Sequence, residues 1–522
     1  MKDGFDSNLF GLVGSTFPQN IMPYMFKQEN IFLLEYENEL FQHFFNRTPV
    51  IAWIPERTWV NDPNIQWHTG DGHTGPNYNV KDNLMCQTFT AVGFVGVILD
   101  GNQHHNWFHD PDPMGQNDNC VPHKINDPTT GQFSGLVALF NNRDLQDRIC
   151  GGNAAWDGIL ATMNWVATFG DGAIGVYGDD WEKAAGYSDT WPDFLTQGYI
   201  ETIWNIKNQS WIESITVQDF VNWFSFEWDG QGTPSYPDTS EYPSISIPYG
   251  TYENPVIWLG GGDYYQRWDD DASEAWRLKT DPRSYRDMMI FAQNAITSAE
   301  DYTLQDWRQN RLIKIARIVL GATTYEWMWH DDSDNISDWQ EKMSAHTKNA
   351  AYYAEAAKWA YNPTAYGAKV QIKDVDGDSV NEYIIQNSKI MAILEPDGGR
   401  ICAMFARDNS GQGYVIIGND VAQYYATGGN WPDMTSCGIN TVDWVEPDHL
   451  GALLYHIGEV NDGFWYDTGQ PTGNPYGDCT QYPDTVYSAE TGADYILFKD
   501  GTTPVKKVTL IGNNNYFNVE ID

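Results

Sequence analysis

From its N-terminus to about residue 265, the chain alternates short apolar, β-branched segments with amphipathic helical ones. The apolar segments are PVIAWIP, FVGVILD, GLVALF and GAIGVYG, and the helical segments include NIFLLEYENELFQHFF and WPDFLTQGYIETIWNIK. This alternation favours βα units around a parallel sheet, and the unbroken apolar character of the strands predicts that both sheet faces are covered. A closed (β/α) barrel is the natural form of such a sheet.

Two regions of different character follow. Long amphipathic segments after residue 268 predict a bundle of about three helices, with capping-box starts at Thr303 and Ser337 and a stop at Pro363. Short strands separated by turn signals then predict an antiparallel β-sandwich. A chain of 522 residues can hold three domains. We place them at residues 1–268, 269–363 and 364–522.

Polar side chains follow four of the strands predicted for the first region. They are Glu56 after PVIAWIP, Asp100 after GVILD, Asn141 after LVALF, and Asp179 with Asp180 after IGVYG. Active sites in parallel α/β folds lie at the carboxyl ends of the strands. We therefore expect these side chains to line one pocket.

Two of these carboxylates could cleave a glycosidic bond. Cleavage with retention needs a nucleophile and an acid about 5–5.5 Å apart. Glu56 is flanked by Trp53 and Trp59 and followed by Arg57, a cation that would keep a nucleophile ionised. The alternative for Glu56 is an ordinary Arg–Glu surface pair.

Asp179 and Asp180 are adjacent acids, and crowding of negative charge could raise one pKa into the range of a general acid. A solvated acidic turn that opens a helix is the alternative, since Asp is favoured there.

The composition excludes several classes of partner. Asp and Glu number 71 against 30 Lys and Arg, a net charge of −41, which argues against nucleic acid and anionic lipid. No run of 18 apolar residues occurs, so we expect no membrane insertion. The 23 Trp residues exceed the needs of a core and suggest stacking platforms for a neutral ligand such as carbohydrate.

Six cysteines are spread singly and lack the spacing of a zinc site. They allow one to three disulfides, of which Cys437–Cys479 is the pair we prefer. The even number fits an extracellular or cell-surface protein, although the sequence MKDGFDSNLF is no signal peptide.

The two carboxylate motifs are similar to those of glycoside hydrolase family 57. WIPERTW resembles the family's nucleophile motif and YGDDWEKAAGY its acid/base motif, which places the nucleophile at Glu56 and the proton donor at Asp180. ILDGNQHH, LFNNRDLQDRI and TTYEWMWHDD resemble further family segments in the same order.

This resemblance implies a (β/α)7 barrel completed by a helical bundle, a retaining mechanism and no cofactor for catalysis. The implied substrates are α-glucans such as starch, glycogen or maltodextrin, since the family includes α-amylases, amylopullulanases, 4-α-glucanotransferases, branching enzymes and α-galactosidases. We expect contacts to the sugar from Trp53, Arg57, Trp59, His104, His105, Asp179, Trp181, Glu326, Trp327 and Trp329.

The sequence departs from the family in two places. The first motif, a His-Gln-Pro whose histidine contacts the sugar, is absent, and GSTFPQNIMPYM resembles the segment that normally follows it. We therefore expect the first strand to be missing. Trp181 and the pair Ala184–Ala185 also differ from the usual acid/base motif. A carbohydrate-binding or structural surface protein that has lost turnover is accordingly an alternative.

A second alternative comes from the histidines. His105 and His109, together with Asp179 and Asp180, match the inventory of a metal-dependent polysaccharide deacetylase, but those enzymes usually place the Asp pair before the histidines. Hydrogen bonding of His104 or His105 to sugar hydroxyls is the interpretation we favour over catalysis by a metal, and an ordinary loop histidine is the alternative.

The segment DVDGDSVNE has the alternating acidic spacing of a calcium loop. Its oxygens come from Asp374, Asp376, Asp378 and Glu382. It is no EF-hand, because Ser379 occupies the glycine position. We predict structural Ca²⁺ here, with an acidic β-turn as the alternative.

Overall fold

The computed structural model describes residues 11–62, 84–101, 120–150, 156–169, 173–178, 200–220, 244–250, 285–322, 338–363, 367–417 and 487–521, apart from a few positions within these ranges. The chain divides into two compact units, Met1–Gly262 and Asp263–Asp522. The division into three domains stays a prediction.

The first unit combines short strands with helices. Among the described residues, its strands are β1 (Ile51–Trp53), β2 (Trp59–Val60), β3 (Gly96–Asp100), β4 (His123–Asn126), β5 (Phe133–Asn141), β6 (Ser244–Ile245) and β7 (Tyr249–Gly250). The same residues include the helices α1 (Lys27–Phe45), α2 (Met85–Ala91), α3 (Arg143–Cys150) and α4 (Trp156–Ala167), together with short 3₁₀ turns at Met22–Tyr24 and Pro55–Arg57.

The main sheet of this unit has the strand order β1-β3-β5-β4-β6. β1 pairs with β3 and β3 with β5 in parallel, and a parallel bridge joins Asn141 to Val176. The parallel pairing predicted for the four apolar segments is thus confirmed, the last of them as a bridge. β4 runs antiparallel to β5 because the turn at 127–132 joins them directly, with the Asp127 N–H donating to the Gln132 carbonyl.

A strand-like segment also pairs with the other edge of β1. Gly14 forms a parallel bridge with Ala52, its N–H donates to the Ile51 carbonyl at 2.9 Å, and the Trp53 N–H donates to the Gly14 carbonyl at 2.7 Å. The expectation that the first strand is missing is therefore wrong. The place beside β1 is occupied, and what the chain lacks is the His-Gln-Pro motif.

The two faces of this sheet bury different side chains, as expected for strands covered on both sides. Ala52, Val97 and Ala138 share a hydrophobic cluster with residues of α1 and α2, whereas Ile51, Ile98 and other alternate residues form a second cluster. β2 and β7 pair separately as a two-stranded ribbon. Closure of the main sheet into a barrel stays a prediction.

The described residues of the second unit include three helices, α5 (Tyr285–Thr303), α6 (Arg311–Ala322) and α7 (Asp338–Tyr361), which confirm the predicted helical segments and pack against one another. The predicted cap at Thr303 is wrong. Its hydroxyl donates to the Ala299 carbonyl at the end of α5, and Asn310 caps α6 by accepting from the Leu312 and Ile313 N–H groups at 3.1 and 3.3 Å. α7 ends two residues before Pro363, as predicted.

Two antiparallel sheets follow in the described part of this unit, in the orders β12-β11-β10-β9-β8 and β13-β14-β15-β16. Side chains from both sheets, such as Ile385 and Phe498, share one hydrophobic core, which confirms the antiparallel β-structure predicted for this region. The strands are β8 (Lys369–Lys373), β9 (Glu382–Gln386), β10 (Ile390–Glu395), β11 (Arg400–Arg407), β12 (Gly413–Ile417), β13 (Ser488–Thr491), β14 (Tyr495–Asp500), β15 (Thr503–Thr509) and β16 (Asn518–Ile521).

Cys86, Cys120 and Cys402 are buried thiols, so the upper expectation of three disulfides is wrong. Cys437 and Cys479 lie outside the described residues. Within the described parts of the chain, no helix is long and apolar enough to cross a membrane.

Candidate active site and candidate cation site

Glu56 lies in a tight turn directly after β1. The turn is closed by the Arg57 N–H, which donates to the Ile54 carbonyl at 2.7 Å, and by the Thr58 hydroxyl, which donates to the Pro55 carbonyl at 2.9 Å. Glu56 and Arg57 both have left-handed backbone conformations, with φ of 46° and 49°. Such conformations cost about 1–3 kcal/mol each outside glycine and cluster at functional sites.

Arg57 is buried beside this turn. Its Nη1 lies 3.8 Å from Asp100 Oδ2 and 3.5 Å from Gln146 Oε1, and its guanidinium carbon lies 5.2 Å from the centre of the Trp53 ring. Since Asp100 is only 2% exposed, this ion pair is shielded from water. The turn after β1 is thereby tied to the carboxyl end of β3.

A second set of hydrogen bonds joins the carboxyl end of β5 to Gly178, two residues after the bridge at Val176. Asn141 Nδ2 donates to Gln146 Oε1 at 2.9 Å and to the Gly178 carbonyl at 3.3 Å, while the Gly178 N–H donates to Asn141 Oδ1 at 2.9 Å. Gly178 directly precedes Asp179. The described residues thus connect the neighbourhood of Glu56 to Gly178, the second residue of the predicted acid/base motif.

Gln146 was missed by the sequence reasoning. It lies on the first turn of α3, which Asn142 caps by accepting from the Leu145 N–H at 3.0 Å. The sequence signal for Gln146 was a helix cap, Asn142, directly after an apolar strand. A helix that begins there places its first turn at the carboxyl edge of the sheet.

The two predicted aromatic partners of Glu56 differ in burial. Trp53 is partly exposed and packs over Gly178, where a Cβ atom would collide with its ring. Trp59 is fully buried, and its Nε1 donates to the Ile247 carbonyl at 2.9 Å. We therefore correct the predicted role of Trp59, because a ring without an exposed face cannot stack on a sugar.

Glu37 of α1 lies near the same edge of the sheet and accepts a hydrogen bond from the Ser15 N–H. Burial raises the pKa of its carboxyl to about 8, an effect that the bond from Ser15 only partly offsets. Glu37 is therefore largely protonated at neutral pH.

The remaining predicted residues of this site lie outside the described residues. They are Asp179, Asp180, Trp181, His104, His105, Glu326, Trp327 and Trp329.

The second candidate site is the acidic loop between β8 and β9. Ligand oxygens of Asp374, Asp376, Asp378 and Glu382 lie within 4.8 Å of one another, and the last three side chains are buried. Backbone N–H groups hold the loop, because Gly377 donates to Asp374 at 2.7 Å and Val380 to Asp378 at 2.7 Å.

Two further polar groups adjoin this loop. The Tyr352 hydroxyl of α7 lies 3.2 Å from Asp376 Oδ2 and within hydrogen-bonding distance of Glu395 at the end of β10. Burial, followed by the negative charges of Asp376 and Glu395, raises the pKa of Glu382 well above its usual range. Buried carboxylates this close together are a donor set that suits a hard cation.

Comparison with known proteins addresses the first unit. Residues 1–233 match the sequence model of glycosyl hydrolase family 57. For these residues the match agrees with the resemblance seen in the motifs and supports the class of enzyme, a glycoside hydrolase. No protein with a curated description matches the sequence significantly.

Solved structures of family 57 enzymes resemble the chain weakly. A 4-α-glucanotransferase from Thermococcus litoralis is 12% identical, with 100% of this chain and 74% of that chain covered and a TM-score of 0.42. A branching enzyme from Thermococcus kodakaraensis is 11% identical, with 69% of each chain covered and a TM-score of 0.47. An α-amylase from Thermotoga maritima is 11% identical, with 73% and 74% covered and a TM-score of 0.40. Likenesses of this size carry no argument about substrate, and none of the comparisons supports a deacetylase.

Proposed function

We propose that the protein is a retaining glycoside hydrolase or transglycosylase that acts on α-glucans, with Glu56 as the nucleophile and Asp180 as the acid/base. The observation that carries the proposal is the strained turn after β1, where Glu56 has a left-handed backbone beside the buried Arg57–Asp100 pair. This turn lies within the part of the chain that matches the family.

The proposed reaction proceeds in two displacements. Glu56 attacks the anomeric carbon while Asp180 protonates the leaving oxygen, and Asp180 then deprotonates the water or sugar hydroxyl that releases the glycosyl group. Arg57 and Asp100 hold the turn that carries Glu56, and Trp53 offers an apolar face to the sugar ring. We assign further sugar contacts to His104, His105, Asp179, Trp181, Glu326, Trp327 and Trp329.

The first test is turnover of maltodextrin by the wild type and by Glu56→Gln and Asp180→Asn. We expect the wild type to change the product pattern and both variants to lose about 10²–10⁴-fold or more in rate. Glu39→Gln, an exposed carboxylate of α1, is the matched control and keeps full activity. Full activity in either site variant contradicts the assignment, and binding of glucan by an inactive wild type supports the non-catalytic alternative.

Azide separates the two roles. In Glu56→Ala it replaces the nucleophile and gives a glycosyl azide of inverted configuration, whereas in Asp180→Ala it attacks the glycosyl enzyme and gives the retained configuration. Reversed stereochemistry in the two variants would exchange the assigned roles.

We also propose that the acidic loop between β8 and β9 binds Ca²⁺ in a structural role, with no cofactor needed for catalysis. The close approach and burial of its carboxylates support this proposal. The Tyr352 hydroxyl links Asp376 of this loop to Glu395 at the end of β10.

A further inference from the structure

The segment around Gly14 carries polar groups that the proposed mechanism does not use. Hydrogen bonds on both sides of Gly14 align it with β1, so that Ser15 follows at the level of Trp53, the last residue of that strand. Ser15 therefore lies at the edge of the sheet from which the turn of Glu56 continues.

The side chain of Ser15 is on the same sheet face as Trp53. Side chains alternate along an extended segment. A Cβ atom at Gly14 would point at Phe94 in the core that includes α1 and α2, whereas Val13 packs in the opposite core with Ile51 and Trp53. Ser15 is two residues after Val13 and shares its face.

The Ser15 hydroxyl is buried without a hydrogen-bonding partner. Ser15 is 8% exposed, and none of the described residues bonds to its Oγ. The same is true of Thr16 Oγ1, which alternation places on the other face. Buried hydroxyls are normally paired, so an orphan one beside a proposed site indicates a ligand or an ordered water.

The backbone of Ser15 is fixed from the opposite side. Its N–H donates to the Glu37 carboxyl of α1, so the hydroxyl is held by an anchored main chain. A hydroxyl both donates and accepts, which suits it to pair with a sugar hydroxyl.

We propose that Ser15 is a further substrate-binding residue, whose hydroxyl pairs with a hydroxyl of the sugar ring bound next to Glu56. This inference rests on the proposed function. Glu37 acts on it as a positioning residue by holding the Ser15 backbone.

The test compares Ser15→Ala with Thr16→Val, which removes a buried, orphan hydroxyl at the next residue but on the other face. Turnover of maltoheptaose is measured in the wild-type background, and binding of maltoheptaose is measured by calorimetry in the Glu56→Gln background. We expect Ser15→Ala to weaken kcat/KM and binding about 3- to 10-fold, the value of one neutral hydrogen bond. Thr16→Val changes neither, and Ser15→Thr restores part of the loss.

Thermal unfolding separates binding from folding. Ser15→Ala and Thr16→Val each remove an unsatisfied hydroxyl and should keep the wild-type unfolding temperature or exceed it. Equal binding and turnover in wild type and Ser15→Ala overturn the inference while the proposed function stands. Binding that weakens in Ser15→Ala while the wild type has no turnover supports Ser15 and overturns the proposed catalysis. A wild type that neither binds nor cleaves overturns both.

Discussion

At the scale of single residues, the strained turn at Glu56 and Arg57 is the feature that most distinguishes the first unit. Two consecutive non-glycine residues in the left-handed region persist only where their surroundings hold them, and the bonds of Thr58 and the Arg57–Asp100 pair do so here. A protein under no functional constraint would gain stability by placing glycine at this position. The strain is accordingly an argument that the Glu56 side chain is needed.

We predict that Glu56→Gly removes turnover without lowering stability, because relief of the left-handed strain offsets the greater entropy of glycine in the unfolded chain. Glu39→Gly is the matched control, since Glu39 is an exposed residue within α1 and the same change there should cost about 1 kcal/mol. Urea denaturation measures both free energies of unfolding. An equal loss in the two variants would show that the turn stores no strain.

At the scale of elements, the sequence predicted what periodicity and composition determine. The long helices and the apolar parallel strands follow from patterns that local sequence encodes, such as the buried run of β3. The helix cap was misplaced at Thr303, whose hydroxyl donates to the Ala299 carbonyl at the end of α5, whereas the cap of α6 is Asn310, which the capping-box pattern did not identify.

The candidate site was less predictable for the same reason. That Arg57 pairs with Asp100, and that Gln146 joins it, depends on which strands become neighbours. Burial of Trp59 depends on the carbonyl of Ile247, nearly 190 residues away along the chain. The pairing of Gly14 with β1 was likewise invisible to motif matching, since it involves main-chain bonds that any residue can form.

The loop between β8 and β9 gives a prediction for one element. We expect Ca²⁺ to raise the thermal unfolding temperature of the wild type, with a stabilisation of about 2.7 kcal/mol at a concentration of 100 times Kd. Asp376→Asn should lose most of this response, because the substitution removes the negative charge of a buried ligand. Asp500→Asn, at the exposed end of β14, is the matched control and should respond like the wild type. Equal responses in both variants would exclude the proposed site.

At the scale of the whole molecule, the chain has 71 acidic and 30 basic residues. No single site explains this excess of negative charge. Net charge of this size keeps a protein soluble and repels other anions, but its self-repulsion destabilises the compact state. The described surface ion pairs, such as Lys373–Glu355 at 2.6 Å, can offset little of it, since exposed pairs contribute about 0–1 kcal/mol.

Screening of this repulsion gives the prediction for the whole chain. Raising monovalent salt from about 0.1 M to 1 M shortens the Debye length from about 10 Å to 3 Å, which weakens repulsion between distant carboxylates more than attraction within close pairs. We expect the unfolding temperature to rise by a few degrees, equally in potassium chloride and tetramethylammonium chloride, because the effect needs no bound ion. Asp376→Asn should retain this response even though it loses the response to Ca²⁺. A rise with potassium alone would indicate specific cation binding, and an unchanged unfolding temperature would mean that the −41 net charge is too dispersed to destabilise the fold.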